Sequence, residues 1–310
     1  MSRRGQATPS IGRFAPSPTG ELHFGSLVAA VASFVQVKCR GGKWLIRIED
    51  IDPPREVAGS ATRIIQDLAE FGMRPDGPVL FQSTRTRAYE AACARLLASG
   101  QAYWCGCSRQ EISASGVYPG TCRNGIPKGR KPRAVRLRVD STAMAWHDQV
   151  QGFQSEVLET TSGDFVIRRA DGLYAYQLAV VVDDAFQEMT QIVRGADLLD
   201  STARQIWLQQ SLGLATPEYA HVPVAVSPNG RKLSKRLQSD PIRQQSTAQA
   251  LRAALAFLGH DAPEVDVPGL WDWACSHWSL DRIPGSRQSV ISSAIQPGSP
   301  TGKPGDAGRL

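Results

Sequence analysis

RFAPSPTGELHFGS (residues 13–26) joins an apolar entry, Ile11 to Ala15, to a long apolar run that begins at Leu27. The entry reads as a short strand. Ser26 to Lys38 reads as a helix carrying Leu27, Val28, Val31, Phe34 and Val35, stopped by Gly41-Gly42. A strand-to-helix corner leaves the first helical N–H groups unpaired at the positive end of the helix dipole, which suits a phosphate. Pro16 and Pro18 stiffen this corner and Gly20 and Gly25 allow close approach, while His23 can donate to a phosphate oxygen in a transition state. The plain alternative is a capped helix start with a surface histidine. Trp44 to Ile48 is the next strand, so the chain opens as strand, helix, strand, the unit of a parallel sheet with right-handed crossovers.

Further along, helical patterns cover about 56–71 and 84–99, and residues 101–132 form a Cys-, Gly- and Pro-rich insert. Arg133 to Val139 alternates as a half-buried antiparallel strand would. Asp164 to Tyr176 reads as a hairpin around Ala-Asp-Gly, with Tyr174 and Tyr176 on one strand face. Asp183 and Asp184, read as neighbours on a strand, point to opposite faces, which argues against a metal pair. Gln191 to Val193 is a short strand and Ser201 to Leu212 a helix. Pro228-Asn229-Gly230 is a turn leading into Lys232 to Arg236. Helices are expected at about 246–258 and 269–278, and disorder at 296–310.

The 310 residues carry 35 Lys plus Arg against 29 Asp plus Glu, a net charge of +6 that tilts the partner class towards polyanions such as RNA or nucleotides. Residues 1–10 lack the apolar segment of a secretory signal, and the longest uncharged stretch, Leu22 to Val37, is shorter than the roughly 20 residues of a membrane span, so a cytoplasmic, membrane-free protein is expected. In that compartment the six cysteines read as metal ligands or buried thiols rather than disulfides, with Cys39, Cys93 and Cys275 as buried thiols. Cys105, Cys107 and Cys122, with Tyr118 or His147 as a fourth ligand, could close a tetrahedral structural zinc site, and ordinary reduced thiols are the alternative. Seven Arg or Lys residues between Arg123 and Arg138 suggest an RNA-facing surface.

His23-Phe24-Gly25-Ser26 and the distant Lys232-Leu233-Ser234-Lys235-Arg236 resemble the two nucleotide-binding motifs of class I aminoacyl-tRNA synthetases. RFAPSPTG, Arg47-Ile48-Glu49-Asp50 with Asp52-Pro53, Phe81-Gln82-Ser83 with Arg85, and Val193 to Asp197 look like the glutamyl and glutaminyl branch, over about residues 11–240. The HFGS spelling, the Cys-x-Cys insert and KLSKR are most similar to the glutamyl-queuosine tRNA(Asp) synthetase family, which lacks an anticodon-binding domain. Fewer residues follow Arg236 than the roughly 100 of a typical separate domain, which agrees with that choice.

The resemblance implies an α/β fold: a Rossmann-type core with a parallel sheet, an inserted zinc-containing subdomain on the acceptor side and a small helical C-terminal part. The expected divisions are 1–100 and 161–240 for the core halves, 101–160 for the insert, 241–295 for the helices and 296–310 for the tail. It implies that His23 and Lys235 contact the ATP triphosphate and stabilise charge during attack on the α-phosphate, with Gly25, Ser26 and Lys232 also binding ATP. Ser26 stands where the family motif ends in histidine. A glutamate ligand calls for guanidinium groups opposite its carboxylates and a carboxylate opposite its ammonium. By resemblance Arg13, Phe14, Ala15, Pro16 and Ser17 line that site, Glu49 takes the α-ammonium, and Tyr176 and Arg194 complete it. The same resemblance gives structural Zn2+ to Cys105, Cys107, Tyr118 and Cys122 and brings Mg2+ with ATP. The implied activity is that of a monomeric ligase: L-glutamate is activated to glutamyl-adenylate without tRNA, then transferred to queuosine in the anticodon loop of tRNA(Asp). A truncated glutamyl-tRNA synthetase charging the 3′ end, another adenylate-forming or nucleotidyl-transfer enzyme, and a non-catalytic RNA-binding paralogue stay open as alternatives.

Overall fold

The computed structural model describes residues 10–112, 116–226 and 246–290. The turn at 228–230, the KLSKR stretch with Lys232 and Lys235, and the segment 296–310 lie outside the described residues. The opening unit is β1 (Ile11–Phe14), α1 (Phe24–Lys38) and β2 (Lys43–Ile48), with β1 and β2 parallel from Ile11↔Lys43 to Phe14↔Ile46 and β3 (Leu80–Phe81) parallel to β2. Helix α1 starts two residues before the predicted Ser26, because His23 caps it by accepting the Ser26 backbone N–H. Gly12 sets how closely α1 packs on β1, since a Cβ there would lie 2.5 Å from the Val37 side chain. Helices α2 (Ser60–Glu70) and α3 (Thr86–Ala98) follow.

Strands β4 (Ala102–Cys105), β5 (Ala134–Leu137) and β8 (Phe165–Arg168) form an antiparallel sheet in the order β4-β5-β8. The hairpin of β6 (Ala143–Asp148) and β7 (Gly152–Val157) joins β9 (Gln191–Gly195) and β10 (Glu218–Val222) in the order β7-β6-β10-β9, with β9 and β10 parallel. Helices α4 (Leu158–Thr161), α5 (Tyr176–Phe186) and α6 (Thr202–Ser211) connect these strands. Three sequence expectations are corrected here. Strand β5 is buried on both faces, because Arg136 on its polar face is covered by the cysteine-rich insert. The hairpin strand ends earlier than Tyr176. Tyr174 bridges Arg168, the backbone is extended at Ala175, and Tyr176 opens α5. Asp183 and Asp184 therefore sit on a helix rather than a strand.

Helices α7 (Thr247–Phe257) and α8 (Val267–His277) lie within the two predicted C-terminal helices, apart from a start two residues early for α8, and α7 opens on a Ser246–Gln249 capping box. They share one apolar core with α1, β1, β2 and α2. Phe257 meets Phe24 edge-on at 5.9 Å, Trp271 meets Phe34 at 4.8 Å and donates to the Phe71 carbonyl, and Trp278 donates to Gln36 Oε1. A second core gathers α3, β5, β8, α5 and α6. Strands β11 (Val224–Val226) and β12 (Gln288–Val290) pair in parallel. Among the described residues no helix is long and apolar enough to cross a membrane.

The expectation of buried thiols holds for Cys93 and fails for Cys39 and Cys275, which are joined in a disulfide with their Cα atoms 4.7 Å apart. Packing of α8 beside the C-terminal end of α1 brings them together, a proximity invisible to composition. Unfolded in denaturant and chelator, the oxidised chain should titrate as the four thiols Cys93, Cys105, Cys107 and Cys122, and as six after reduction. Cys275→Ser should cost about 2–4 kcal/mol of stability under oxidising conditions and little under reducing ones, read from denaturant midpoints.

Candidate active site

The carboxyl ends of β1, β2 and β9 and the N-terminus of α1 open onto one cleft of about 260 Å³, the usual ligand position in an open parallel sheet. Arg13, Phe14, Ala15, Pro16, Ser17, Glu49, Tyr176 and Arg194 line it, together with His23, Gly25 and Ser26. Residues drawn from the β1–α1 corner, β2, α5 and β9 are thus brought together. Lys232 and Lys235 lie outside the described residues.

The floor is a buried ionic network. Asp184 Oδ1 accepts from Arg13 Nε at 3.0 Å and from Arg47 Nη1 at 2.7 Å, and Arg47 also donates to Gln187 Oε1 at 3.0 Å. Burial works against the Asp184 charge, but the two guanidinium groups outweigh it and hold the carboxyl below its usual range. Glu49, 3.5 Å from Arg47 Nη2, goes the other way: burial lifts its carboxyl above the ordinary value more than Arg47 and Arg13 lower it. Asp183 faces away from this group and accepts from Arg85, Gln82 and Tyr89. Asp184 is thus engaged by two guanidinium groups, and Asp183 by guanidinium, amide and phenol donors.

Arg194 is held differently. Its Nε donates to His221 Nε2 at 2.9 Å and its Nη2 to Thr202 Oγ1 at 3.0 Å, while the buried Nη1 has no hydrogen-bond partner. Because the guanidinium can only donate, His221 Nε2 is the bare nitrogen, and Nδ1 donates to Asp148 Oδ2 at 2.5 Å. Burial and the nearby Arg194 charge push the His221 pKa down to about 4 against the pull of Asp148, so the ring is neutral. At the corner, His23 Nδ1 accepts from Ser26 N, which leaves the other ring nitrogen to donate to Ser26 Oγ at 3.0 Å.

In the insert, the sulfurs of Cys105, Cys107 and Cys122 lie within 4.8 Å of one another. Tyr118 Oη is 3.3 Å from Cys105 Sγ and 3.6 Å from Cys107 Sγ, and Cys107 Sγ is 3.6 Å from Cys122 Sγ. A tetrahedral ion with metal–sulfur bonds of about 2.3 Å needs edges of roughly 3.8 Å, so this donor set fits such an ion. His147 lies exposed on β6, and it is the Tyr118 hydroxyl that stands beside the sulfurs. Arg136 Nε, 3.4 Å from Cys105 Sγ, and Arg130 Nη1, 3.5 Å from Cys107 Sγ, would offset thiolate charge. The basic stretch is therefore less of an outward face than its composition suggests. Arg136 is buried, Arg123 pairs with Asp164 and Arg138 donates to backbone, while Lys128, Arg130, Lys131 and Arg133 are exposed, Arg130 in an ion pair with Glu111.

Asp148, His221 and Thr202 were not singled out from the sequence, and nothing in their local pattern marks them. Only a cross-strand register, Arg194↔His221 in β9 and β10, places them together. The raised Glu49 carboxyl gives a pH test. As pH falls, Glu49 gains its proton before an ordinary carboxylate would, so binding of an ammonium-bearing ligand, measured by calorimetry with L-glutamate as the probe, should weaken at a higher pH than an ordinary carboxylate would give. Glu49→Gln should bind about tenfold more weakly at neutral pH and show a flatter profile.

Comparison with known proteins gives the family. Residues 11–116 and 120–257 match the catalytic domain of class I tRNA synthetases (E and Q). The chain is 52% identical over 297 residues to a glutamyl-Q tRNA(Asp) synthetase of Dechloromonas aromatica, covering 92% of this chain and 98% of that protein. It is 50% identical to the one of Pseudomonas aeruginosa PAO1, covering 88% and 95%. Among solved structures, a glutamate tRNA ligase from Elizabethkingia meningosepticum in complex with its amino acid superposes with a TM-score of 0.80 at 25% identity, covering 93% of this chain and 68% of that one. The chain belongs to the class I tRNA synthetases of the glutamate and glutamine branch and, within it, to the glutamyl-Q tRNA(Asp) synthetase family.

Proposed function

We propose that the cleft activates L-glutamate with ATP and that the glutamyl group then passes to queuosine in the anticodon loop of tRNA(Asp). The observation that carries this reading is the pairing of Arg194, whose buried Nη1 has no partner, with Glu49 beside the N-terminus of α1. An amino acid with two carboxylates and one ammonium matches those charges. Arg194 and Arg13 face the carboxylates, Glu49 takes the ammonium, Tyr176 adds a hydroxyl and an apolar wall, and the backbone from Phe14 to Ser17 closes one side. A carboxylate oxygen attacks the α-phosphorus and pyrophosphate leaves with Mg2+, while His23 and Lys235 stabilise the developing charge and Gly25, Ser26 and Lys232 hold the nucleotide. A queuosine hydroxyl then attacks the activated carbonyl carbon and AMP leaves.

The names of the relatives favour queuosine over the tRNA 3′ end. The protein acts as a cytoplasmic monomer on this reading, with core halves at 1–100 and 161–240, an insert at 101–160 and a helical region at 241–295. Cys105, Cys107, Cys122 and Tyr118 hold Zn2+ in a closed structural site that rigidifies the insert.

Purified protein should catalyse ATP–pyrophosphate exchange that depends on L-glutamate, needs no tRNA and falls at least about 100-fold in kcat/KM in Arg194→Ala and in Lys235→Ala. Labelled glutamate should attach to tRNA(Asp) that carries queuosine and stay attached after the terminal adenosine is removed. Loss of label with that adenosine would instead identify a 3′-charging enzyme, and absence of exchange a binding paralogue. Chelation should release about one zinc per chain and expose residues 101–132 to protease while exchange persists.

A further inference from the structure

Two arginines face the cleft, and their partners differ in charge. Arg13 is bound by the Asp184 carboxylate, which it shares with Arg47, so part of its positive charge is offset within the protein. Among the described residues Arg194 donates to His221 Nε2, Thr202 Oγ1 and the Leu198 carbonyl, all of them uncharged. We propose that Asp148 and His221 form a positioning relay that fixes the Arg194 guanidinium through a neutral acceptor, so that its full charge and its unpartnered Nη1 are kept for a substrate carboxylate.

The geometry makes the relay a consequence of three adjacent strands. Asp148 ends β6, His221 sits on β10 and Arg194 on β9, and Asp148, His221 and Thr202 are fully buried. Asp148 also accepts the His221 backbone N–H at 3.0 Å and the N–H groups of Val150 and Gln151, so it is fixed before the imidazole meets it. Its carboxylate then selects the tautomer with hydrogen on Nδ1, which leaves Nε2 bare for Arg194. The opposite tautomer would set an N–H against the guanidinium. Had a carboxylate stood at position 221, it would have held Arg194 equally well and cancelled the charge that recruits the substrate. The charged and titratable groups around the ring are Asp148 on β6, Arg194 on β9, Arg13 on β1 and the stacked Tyr219 on β10 itself; burial and the two arginines outweigh the pull of Asp148 and keep the ring unprotonated.

This inference rests on the glutamate-activating reading of the cleft, and the test separates the two. Wild-type exchange dependent on glutamate is the control for that reading. With it in place, His221→Leu should raise the glutamate KM about 10- to 100-fold, because a hydrogen bond to a charged group is lost, while the ATP KM and the kcat per titrated active site change little. His221→Gln, whose amide oxygen can accept from Arg194, should recover most of that loss. Asp148→Asn should raise the glutamate KM about fivefold by releasing the tautomer. An unchanged glutamate KM in H221L, an equal rise in the KM of both substrates, or no recovery in H221Q would overturn the relay. Should H221L fail to fold, D148N decides: no selective rise in the glutamate KM overturns it.

Discussion

Asp184 is the constraint on which the rest of the site depends. One carboxylate oxygen on α5 ties Arg13 of β1 to Arg47 of β2, so a single buried group fixes two neighbouring parallel strands and the helix that covers them. Removing one partner from such a cluster typically costs about 3–5 kcal/mol, because the remaining charges stay buried without compensation. The same cluster sets the charge of the cleft. It engages one acid and two guanidinium groups internally, and Arg13 lines the cleft together with Glu49 and Arg194.

The sequence announces the β1–α1 corner because proline, glycine and histidine are confined to it while the flanking residues are apolar, and that is where the family motifs also lie. Glu49, Arg13 and Arg194 are legible because a doubly acidic ligand demands those residue types. The cysteine cluster of the insert is legible because Cys-x-Cys and a third Cys lie close along the chain. Other features are set by tertiary contacts. Asp148 and His221 meet across 73 positions and Cys39 and Cys275 across 236, and neither pairing leaves a local trace. Tyr176 misleads for a different reason: an alternating strand pattern continues through Tyr174 before the chain turns into α5, and period-2 residues at a helix start look the same.

Arg136 marks the limit of reading charge from composition. An arginine on the alternating face of β5 reads as solvated, yet its guanidinium lies 3.8 Å over the Tyr118 ring and contacts a cysteine sulfur. The cysteine-rich insert provides the anionic and aromatic surroundings that make such burial affordable. Fold and metal-type cluster are thus coupled through one side chain.

The docking of α7 and α8 onto α1 has a practical meaning for anyone trimming this protein. A minimal catalytic fragment ending where the second family motif ends would strip Phe257 from Phe24 and Trp271 from Phe34, baring the back of the very helix whose front end faces the cleft. The C-terminal helices are part of the wall behind the β1–α1 corner, and shortening the chain there would loosen the catalytic core itself.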